Sequence, residues 1–396
     1  KVQLSNIMHK SMVQSDRYRG MKKAGFSESE IEKSFHEKVP MSVFTYHGDV
    51  DTLMTPYDSI LYYKSFLRSG FMSMDPENGH VKAYVGGLDY SSSQYDMCMM
   101  GRRQIGSTIK PYLYSLAMEN GFSPCDLAPN VQRTYIVAGK EWTPRNTSSS
   151  RVGEDVTLKW GLSQSNNWIS AYLMSQLNPF ALVQLMRSFG INSLNVSPTM
   201  SLCLGPCDIS VAEMVSAYTA FVNGGIRVAP MLVTRIETND GEEIETFRPR
   251  MNEVISAESS YKMLDMLRAV IDHGTGIRLR YKYNIQGPVG GKTGTTNNNS
   301  DGWFMGITPD LTTGIWTGAE DRSVHFRTLA LGQGANMALP IWGLYMQKVY
   351  ADSTLNISQG DFVKPLSDVM LDFDCERYEE EENAFSKQQV IDDEEF

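Results

Sequence analysis

Two short runs near Gly70, GFMSMDP and HVKAYVGG, alternate apolar and polar residues on either side of Pro76-Glu77-Asn78-Gly79. Period-two alternation broken by turn residues predicts a β-hairpin, and a domain is expected to begin here. From Gly106 to about Gly276 the apolar spacing changes to the three-to-four repeat of helices. Its stops are Gly121, Gly190 and the pair Gly224-Gly225, each following an apolar-periodic run. A helical lobe is therefore predicted, with a hairpin or loop excursion around residues 226 to 250. Strand patterning returns in GPVGGKTGTT, DGWFMGIT and, after Pro309-Asp310, LTTGIWTGA, which predicts a three-stranded antiparallel meander. A last helix, about Ala338 to Tyr350, places Leu339, Trp342, Met346 and Val349 on one face and Pro340 in its first turn. Two strands, a helical insert, three strands and a helix make one α+β domain whose sheet is completed from both ends of the segment. Residues 1 to 69 are polar, mixed in charge and helix-prone in places, as at Ser27 to Lys38. No internal repeat occurs.

Composition narrows the function. The chain of 396 residues is 41% hydrophobic and 21% charged, enough apolar material for a substantial core. Its net charge of −10 is local: residues 371 to 396 hold 11 acidic residues against Arg377 and Lys387, a net of −9. That block is expected to be a solvated tail, and the nearly neutral body lacks the cationic clusters on which sequence-independent nucleic-acid binding depends. Five cysteines, Cys98, Cys125, Cys203, Cys207 and Cys375, form no CxxC pair, and no His stands beside Cys203 and Cys207. No metal and no cofactor are indicated, while the redox compartment stays open. No run of 18 apolar residues and no signal peptide or anchor is present, and the first residue is Lys rather than Met, so a piece of a longer protein is expected.

Three short patterns carry candidate chemistry. Ser107-Thr108-Ile109-Lys110, at a helix start, would put Ser107 and Lys110 on one face as nucleophile and base. A base must be neutral, and bringing a lysine from about 10.4 to about 7 costs roughly 4.6 kcal/mol. A helix N-terminus supplies up to ~2 kcal/mol of that, so burial or another cation must provide the rest. Ser259-Ser260-Tyr261-Lys262 has the same spacing and reads as the start of a surface helix. Ser165-Asn166-Asn167 precedes a helical run, where capping is the competing reading, and Ser193 to Asn195 repeats the Ser-x-Asn pattern. Lys292-Thr293-Gly294-Thr295-Thr296 puts an ammonium and alternating hydroxyls on a strand, with Gly294 allowing close backbone approach, as would suit an extended anionic ligand. A phosphate loop is excluded, because GxxxxGK[ST] needs Gly where Gln286 stands. GxSxG, HExxH and thiol-protease patterns are absent.

The order SxxK, SxN, KTG is the signature set of penicillin-binding proteins and serine β-lactamases. RRQIGSTIKPYLYSLAMENG, GLSQSNNWISAYLM, HGTGIRLR, GGKTGTTNNNSDGWFMG and LGQGANMALPIW resemble the transpeptidase domain of a class A, bifunctional penicillin-binding protein. The resemblance spans roughly residues 40 to 350. It implies the penicillin-recognising serine transferase/hydrolase fold, with a five-stranded antiparallel sheet, flanking helices and an all-helical lobe. It further implies an interdomain linker at 1–69 and the transpeptidase domain at 70–350, after which the charge pattern leaves a flexible acidic tail at 351–396. By position, Ser107 would be acylated, Lys110 would be its base, Ser165 would relay the proton and Asn167 would hold the donor amide. Lys292 would maintain the positive field, Thr293 and Thr295 would bind the terminal carboxylate, and the N–H groups of Ser107 and Thr295 would form the oxyanion hole. Lys110 is expected to be largely neutral and Lys292, at an exposed strand edge, to stay charged. Ile105 departs from the family's usual Pro.

The activity so implied is penicillin-sensitive D,D-transpeptidation of peptidoglycan stem peptides ending in D-Ala-D-Ala, at the periplasmic face of the cytoplasmic membrane. β-Lactams would be covalent inhibitors and other cell-wall synthesis proteins would be partners. The family's glycan-polymerising domain and membrane helix are not in this sequence, so cross-linking without polymerisation is expected, with any anchor outside the chain. The alternatives are a D,D-carboxypeptidase or β-lactamase on the same scaffold, although no ExxLN-like segment lies between SxN and KTG, and a non-catalytic penicillin-recognising sensor.

Overall fold

The structure, a computed structural model, describes residues 2–91, 93–192, 196–364, 373 and 375. Its centre is an antiparallel sheet of five strands: β1 (Leu67–Met74), β2 (Val81–Val85), β3 (Gly290–Thr295), β4 (Asp301–Ile307) and β5 (Thr312–Ala319). Their order is β3-β4-β5-β1-β2. The N-terminal hairpin and the C-terminal meander thus join along β5 and β1, where Ile315 pairs with Phe71. Four helices position the site: α1 (Lys110–Glu119), α2 (Asn167–Gln176), α3 (Ala257–Asp272) and α4 (Leu339–Ala351).

β4 and β5 are buried along their whole length, which for alternating side chains requires cover on both faces. On one face Phe304 meets Trp342 of α4 edge-on, ring centroids 5.6 Å apart. On the other, Trp303 donates its indole N–H to Gln104 O at 2.9 Å, on the segment leading into α1. The predicted face of α4, Leu339, Trp342, Met346 and Val349, is the buried one. Helix α1 has no polar stripe and is buried from Lys110 through Met118, as an all-round apolar helix must be. Lys110 is therefore a buried amine at the start of the lobe's central helix.

The lobe is not wholly helical. Leu127–Pro129 pairs with Asp155–Thr157, and Tyr135–Val137 pairs with Lys140–Trp142 through Ala138-Gly139, both at positive φ. That geometry matches the right-handed twist of a two-residue hairpin, and the alternation in TYIVAGKEWT is its sequence signal. The excursion expected near 226–250 is present as a hairpin, Arg235–Glu237 with Glu243–Thr246, inside the pairing of Ile226–Val228 with Met251–Glu253.

Residues 1–69, expected as a linker, carry a small core of their own. Met12, Ile31 and Phe35 are buried against Tyr18, Met21, Tyr57 and Ile60. Ser27 and Glu30 form the capping box of the helix Glu28–Phe35. Lys64 ties this unit to the end of β5 through Glu320 at 2.6 Å and Asp321 at 2.9 Å.

The stretch 351–364, expected to open a flexible tail, lies against α3. Phe362 is buried, and Arg268 of α3 pairs with Asp361 at 3.2 Å. Cys125 and Cys375, 250 positions apart, form a disulfide, while Cys98, Cys203 and Cys207 are buried free thiols. Lys159 Nζ donates to Phe373 O at 3.3 Å beside that bridge. Residues 376–396 of the acidic block, and the Ser-x-Asn repeat at 193–195, lie outside the described residues. A cross-link over so long a loop removes up to about 5 kcal/mol of unfolded-chain entropy. Reduction is expected to lower the melting temperature by roughly 5–10 °C, and Cys125→Ser should melt at that lower temperature with or without reductant.

Candidate active site

Ser107 sits in a 3₁₀ turn, Gly106–Ile109, that runs straight into α1. Gly106 has φ +53°, and a Cβ there would fall 2.6 Å from Thr295 O. A Cβ on Gly294 would fall 2.7 Å from Ile105 O. The turn and β3 thus touch backbone to backbone, which only glycine on each side permits. Ile105, the residue that departs from Pro, donates its N–H to Cys207 O at 3.1 Å, a bond Pro could not make.

Lys110 and Lys292 are both fully buried. Lys110 Nζ donates to Ser165 O at 2.6 Å and Asn167 Oδ1 at 2.7 Å, and lies 3.3 Å from Ser165 Oγ. Lys292 Nζ reaches the same Ser165 Oγ at 2.8 Å and its neighbour's carbonyl, Thr293 O, at 3.0 Å. Burial pushes the Lys110 ammonium down to about 7. Burial first, then the charge of Lys110, pushes Lys292 well below the ordinary lysine range. The expectation of an exposed, ordinarily charged Lys292 is thereby corrected: β3 is an edge strand, but the Ser165 loop covers the face that carries Lys292. The three-residue spacing predicts Ser107 and Lys110 on one face, within reach of each other. Among the described residues Ser107 Oγ has no hydrogen-bond partner, and Lys110 is turned toward Ser165 and Asn167.

The Ser-x-Asn segment divides its labour. Asn166 is the helix cap, accepting from Trp168 N at 2.9 Å and Ile169 N at 3.2 Å. Capping by Asn166 frees Ser165 and Asn167 for the cleft. Ser165 has φ +53°, an uncommon conformation for a residue with a Cβ, and it aims both its carbonyl and its hydroxyl at the lysines. Asn167 Nδ2 donates to Arg145 O at 2.7 Å.

On β3, Thr293 Oγ1 lies 2.7 Å from Thr275 Oγ1, in the turn after α3. Thr295 Oγ1 accepts from Gly334 N at 3.0 Å, which leaves its own proton free to donate. Ser107, Ser165, Asn167, Thr293 and Thr295 line one cleft of about 640 Å³. Lys110 and Lys292 lie behind it. The second SxxK is elsewhere: Ser256 caps α3 by accepting from Ser259 N, and Lys262 pairs with Glu258 at 2.8 Å.

Several supporting residues were not singled out from sequence. Arg103 Nε pairs with Asp301 Oδ1 at 2.7 Å, and both are buried. Trp316 Nε1 donates to the same Oδ1 at 3.0 Å, and the Arg103 guanidinium lies 4.6 Å from the Trp316 ring. This clamp joins the segment leading to Ser107 to the start of β4, next to the end of the KTG strand. Its signal was an Asp opening an otherwise apolar strand. Asn146, whose Oδ1 accepts from Asn167 N at 3.1 Å, is visible only once residues 142–147 are seen as a wall of the cleft.

Comparisons with known proteins agree with this geometry. Residues 69–319 match the penicillin binding protein transpeptidase domain, and residues 1–67 match the penicillin-binding protein middle domain. Penicillin-binding protein 1A of Aquifex aeolicus (strain VF5) is 30% identical over 318 residues, 78% of this chain and 43% of the relative. That of Pseudomonas aeruginosa is 28% identical over 341 residues, 73% of this chain and 41% of the relative. The chain therefore spans less than half the length of these curated relatives. The crystal structure of penicillin-binding protein 1A from Haemophilus influenzae superposes with a TM-score of 0.69 at 26% identity, covering 76% of this chain and 49% of that one. The PonA1 protein of Mycobacterium tuberculosis, solved with penicillin V, shares the fold at a TM-score of 0.64 and 20% identity, over 90% of this chain and 96% of that one. Because the transpeptidase match runs from β1 through β5 and takes in all three segments that meet at Ser165, the chain belongs to the penicillin-binding protein transpeptidase family.

Proposed function

We propose that this chain is a serine-type, penicillin-sensitive D,D-transpeptidase acting on peptidoglycan stem peptides that end in D-Ala-D-Ala. The observation that carries the reading is Ser165 Oγ standing between two buried lysine amines, beside a turn that presents Ser107. Neutral Lys110 has two protons, matched by its two short bonds to carbonyl oxygens, and a lone pair left for a hydroxyl proton. Ser107 Oγ attacks the carbonyl carbon of the penultimate D-Ala as Lys110 takes its proton. The N–H groups of Ser107 and Thr295 receive the oxyanion, a contribution of roughly 3 kcal/mol per donor in other enzymes. Collapse breaks the C–N bond, and Ser165 passes a proton to the leaving amine of the terminal D-Ala. The acyl group then moves from Ser107 to an acceptor amine, whose proton returns along the same path. Asn167 orients the donor amide, Lys292 holds the Ser165 hydroxyl in the proton network, and Thr293 and Thr295 hold the terminal carboxylate where Gly294 lets the peptide backbone approach.

One feature favours transfer over β-lactam hydrolysis. No Asp or Glu lines the cleft among the described residues, so no carboxylate is placed to activate a deacylating water. The substrate puts the reaction outside the cytoplasm, and the Cys125–Cys375 bridge fits an oxidising compartment. Among the described residues no helix is long and apolar enough to cross a membrane. The test is a donor peptide ending in D-Ala-D-Ala incubated with an isotopically labelled D-amino acid. Transfer product is expected to exceed hydrolysis product. Hydrolysis alone would favour a carboxypeptidase, and slow acylation by penicillin with neither product would favour a sensor.

A further inference from the structure

The wall of the cleft opposite β3 is the segment 142–147, and it is fixed at three points, two of them backbone carbonyls and one the Asn146 side chain. Pro144 O accepts from Trp168 Nε1 at 3.0 Å, Arg145 O accepts from Asn167 Nδ2 at 2.7 Å, and Asn146 Oδ1 accepts from Asn167 N at 3.1 Å. Arg145 is thereby held against the residue that bonds Lys110. Its side chain is exposed and lines the cleft. Its guanidinium has no ion pair and no hydrogen bond among the described residues. Among the described residues the cleft wall carries no carboxylate to neutralise it.

A second arginine-lined cleft provides the contrast. That cleft, about 530 Å³ around Arg68, Arg102 and Arg103, has every guanidinium paired: with Glu320 at 3.1 Å, Glu213 at 2.8 Å and Asp301 at 2.7 Å. Those arginines are structural or surface pairs. Among the described residues of the candidate cleft, Arg145 alone projects an unneutralised, rigidly based guanidinium toward an anionic ligand. A guanidinium matches a carboxylate through two parallel N–H bonds, stronger than a neutral contact and dependent on the fork that Lys lacks.

We propose that Arg145 is a specificity-determining residue that reads a second carboxylate of the ligand, on the acyl side of the scissile bond. The inference rests on the transpeptidase reading above. The terminal carboxylate is assigned to Thr293 and Thr295 on β3, and the donor amide to Asn167. Arg145 lies beyond Asn167 on the opposite wall, so the group it meets belongs to the residues that precede the scissile bond. Stem peptides with a free side-chain carboxylate there are preferred over the same peptides with that carboxylate amidated.

The experiment compares acylation of the full chain by two penicillins that differ at one point, an acyl side chain carrying a carboxylate or the corresponding amide. The parent is expected to react about tenfold faster with the acid. Arg145→Gln should bring the acid-to-amide ratio to about one, Arg145→Lys should restore part of it, and Arg145→Glu should invert it. The parent's preference should also shrink at high salt, where an exposed pair is screened. An unchanged ratio in Arg145→Gln, including an equal loss with both compounds, overturns the inference. A parent that reacts with both compounds equally fast also overturns it and leaves the transpeptidase reading standing. A parent that reacts with neither removes that reading as well.

Discussion

Ser107→Ala is expected to abolish labelling by penicillin while the chain still unfolds in one cooperative transition. Removing the nucleophile of other serine enzymes costs on the order of 10⁶ in rate, which puts residual labelling below detection. The fold should hardly register the change. Among the described residues Ser107 Oγ bonds to nothing, so its loss leaves no orphaned partner, and the residue is partly exposed. The turn that presents it is set by Gly106 against Thr295 and by Tyr218, whose hydroxyl donates to Thr108 O at 2.9 Å. A stability change within about 0.5 kcal/mol is expected, as for other surface substitutions. Acylation rate and thermal melt, measured on the same preparation, separate the two effects. Labelling that survives in the variant would remove Ser107 from the mechanism.

Lys110→Arg is expected to lose at least a thousandfold in acylation rate, the upper range for removing a positioned general base. Guanidinium keeps its proton at any pH the fold tolerates, so the variant has no base to offer. The parent should show the complementary pH dependence. Lys110 titrates near 7, pushed there by burial, and only its neutral form accepts the proton from Ser107. Acylation should therefore rise with pH up to about 7 and level off above, and Lys110→Arg should lack that rise. The same lysine affects stability with a definite sign. Its pKa is lower folded than unfolded, so between about 7 and 10.5 the unfolded chain binds more protons and stability climbs with pH. Below about 7 the cost of the buried cation is fully present, on the order of 5 kcal/mol. If Lys110→Arg acylates within tenfold of the parent, Lys110 is not the base.

Much of this arrangement was legible in the sequence because its pieces are short and periodic. The alternation on either side of Asn78-Gly79 and the three strands after Gly287 give the five-stranded sheet directly. Pairing of β5 with β1 does not appear in any local pattern, since it joins residues more than two hundred positions apart, and it followed from needing one sheet. The β excursion between 127 and 157 was overlooked because its strands are three residues long and its turn uses Ala138-Gly139 instead of Asn-Gly.

At the site, residue types were readable and environments were not. Lys292 lies on an edge strand, and edge strands are ordinarily wet, so only the tertiary placement of the Ser165 loop reveals its burial. The ambiguity at Ser165-Asn166-Asn167 between capping and chemistry resolves because the two uses fall on different residues. Asn166 faces the helix end while its neighbours face the lysines. The Arg103–Asp301 clamp joins positions 198 apart in sequence and had no local signature beyond an isolated charge in an apolar strand. Breaking a buried pair of this kind costs about 3–5 kcal/mol, which is why such a clamp suits the task of holding Ser107 against β3.

The central claim is that one serine, chosen from three motifs by the lysines around it, forms a covalent acyl-enzyme. Incubating the parent chain with a labelled penicillin, digesting it and locating the adduct by mass spectrometry tests that claim most directly. The account predicts a single adduct, on Ser107. An adduct on Ser259, on Ser165 or on no serine at all would contradict it.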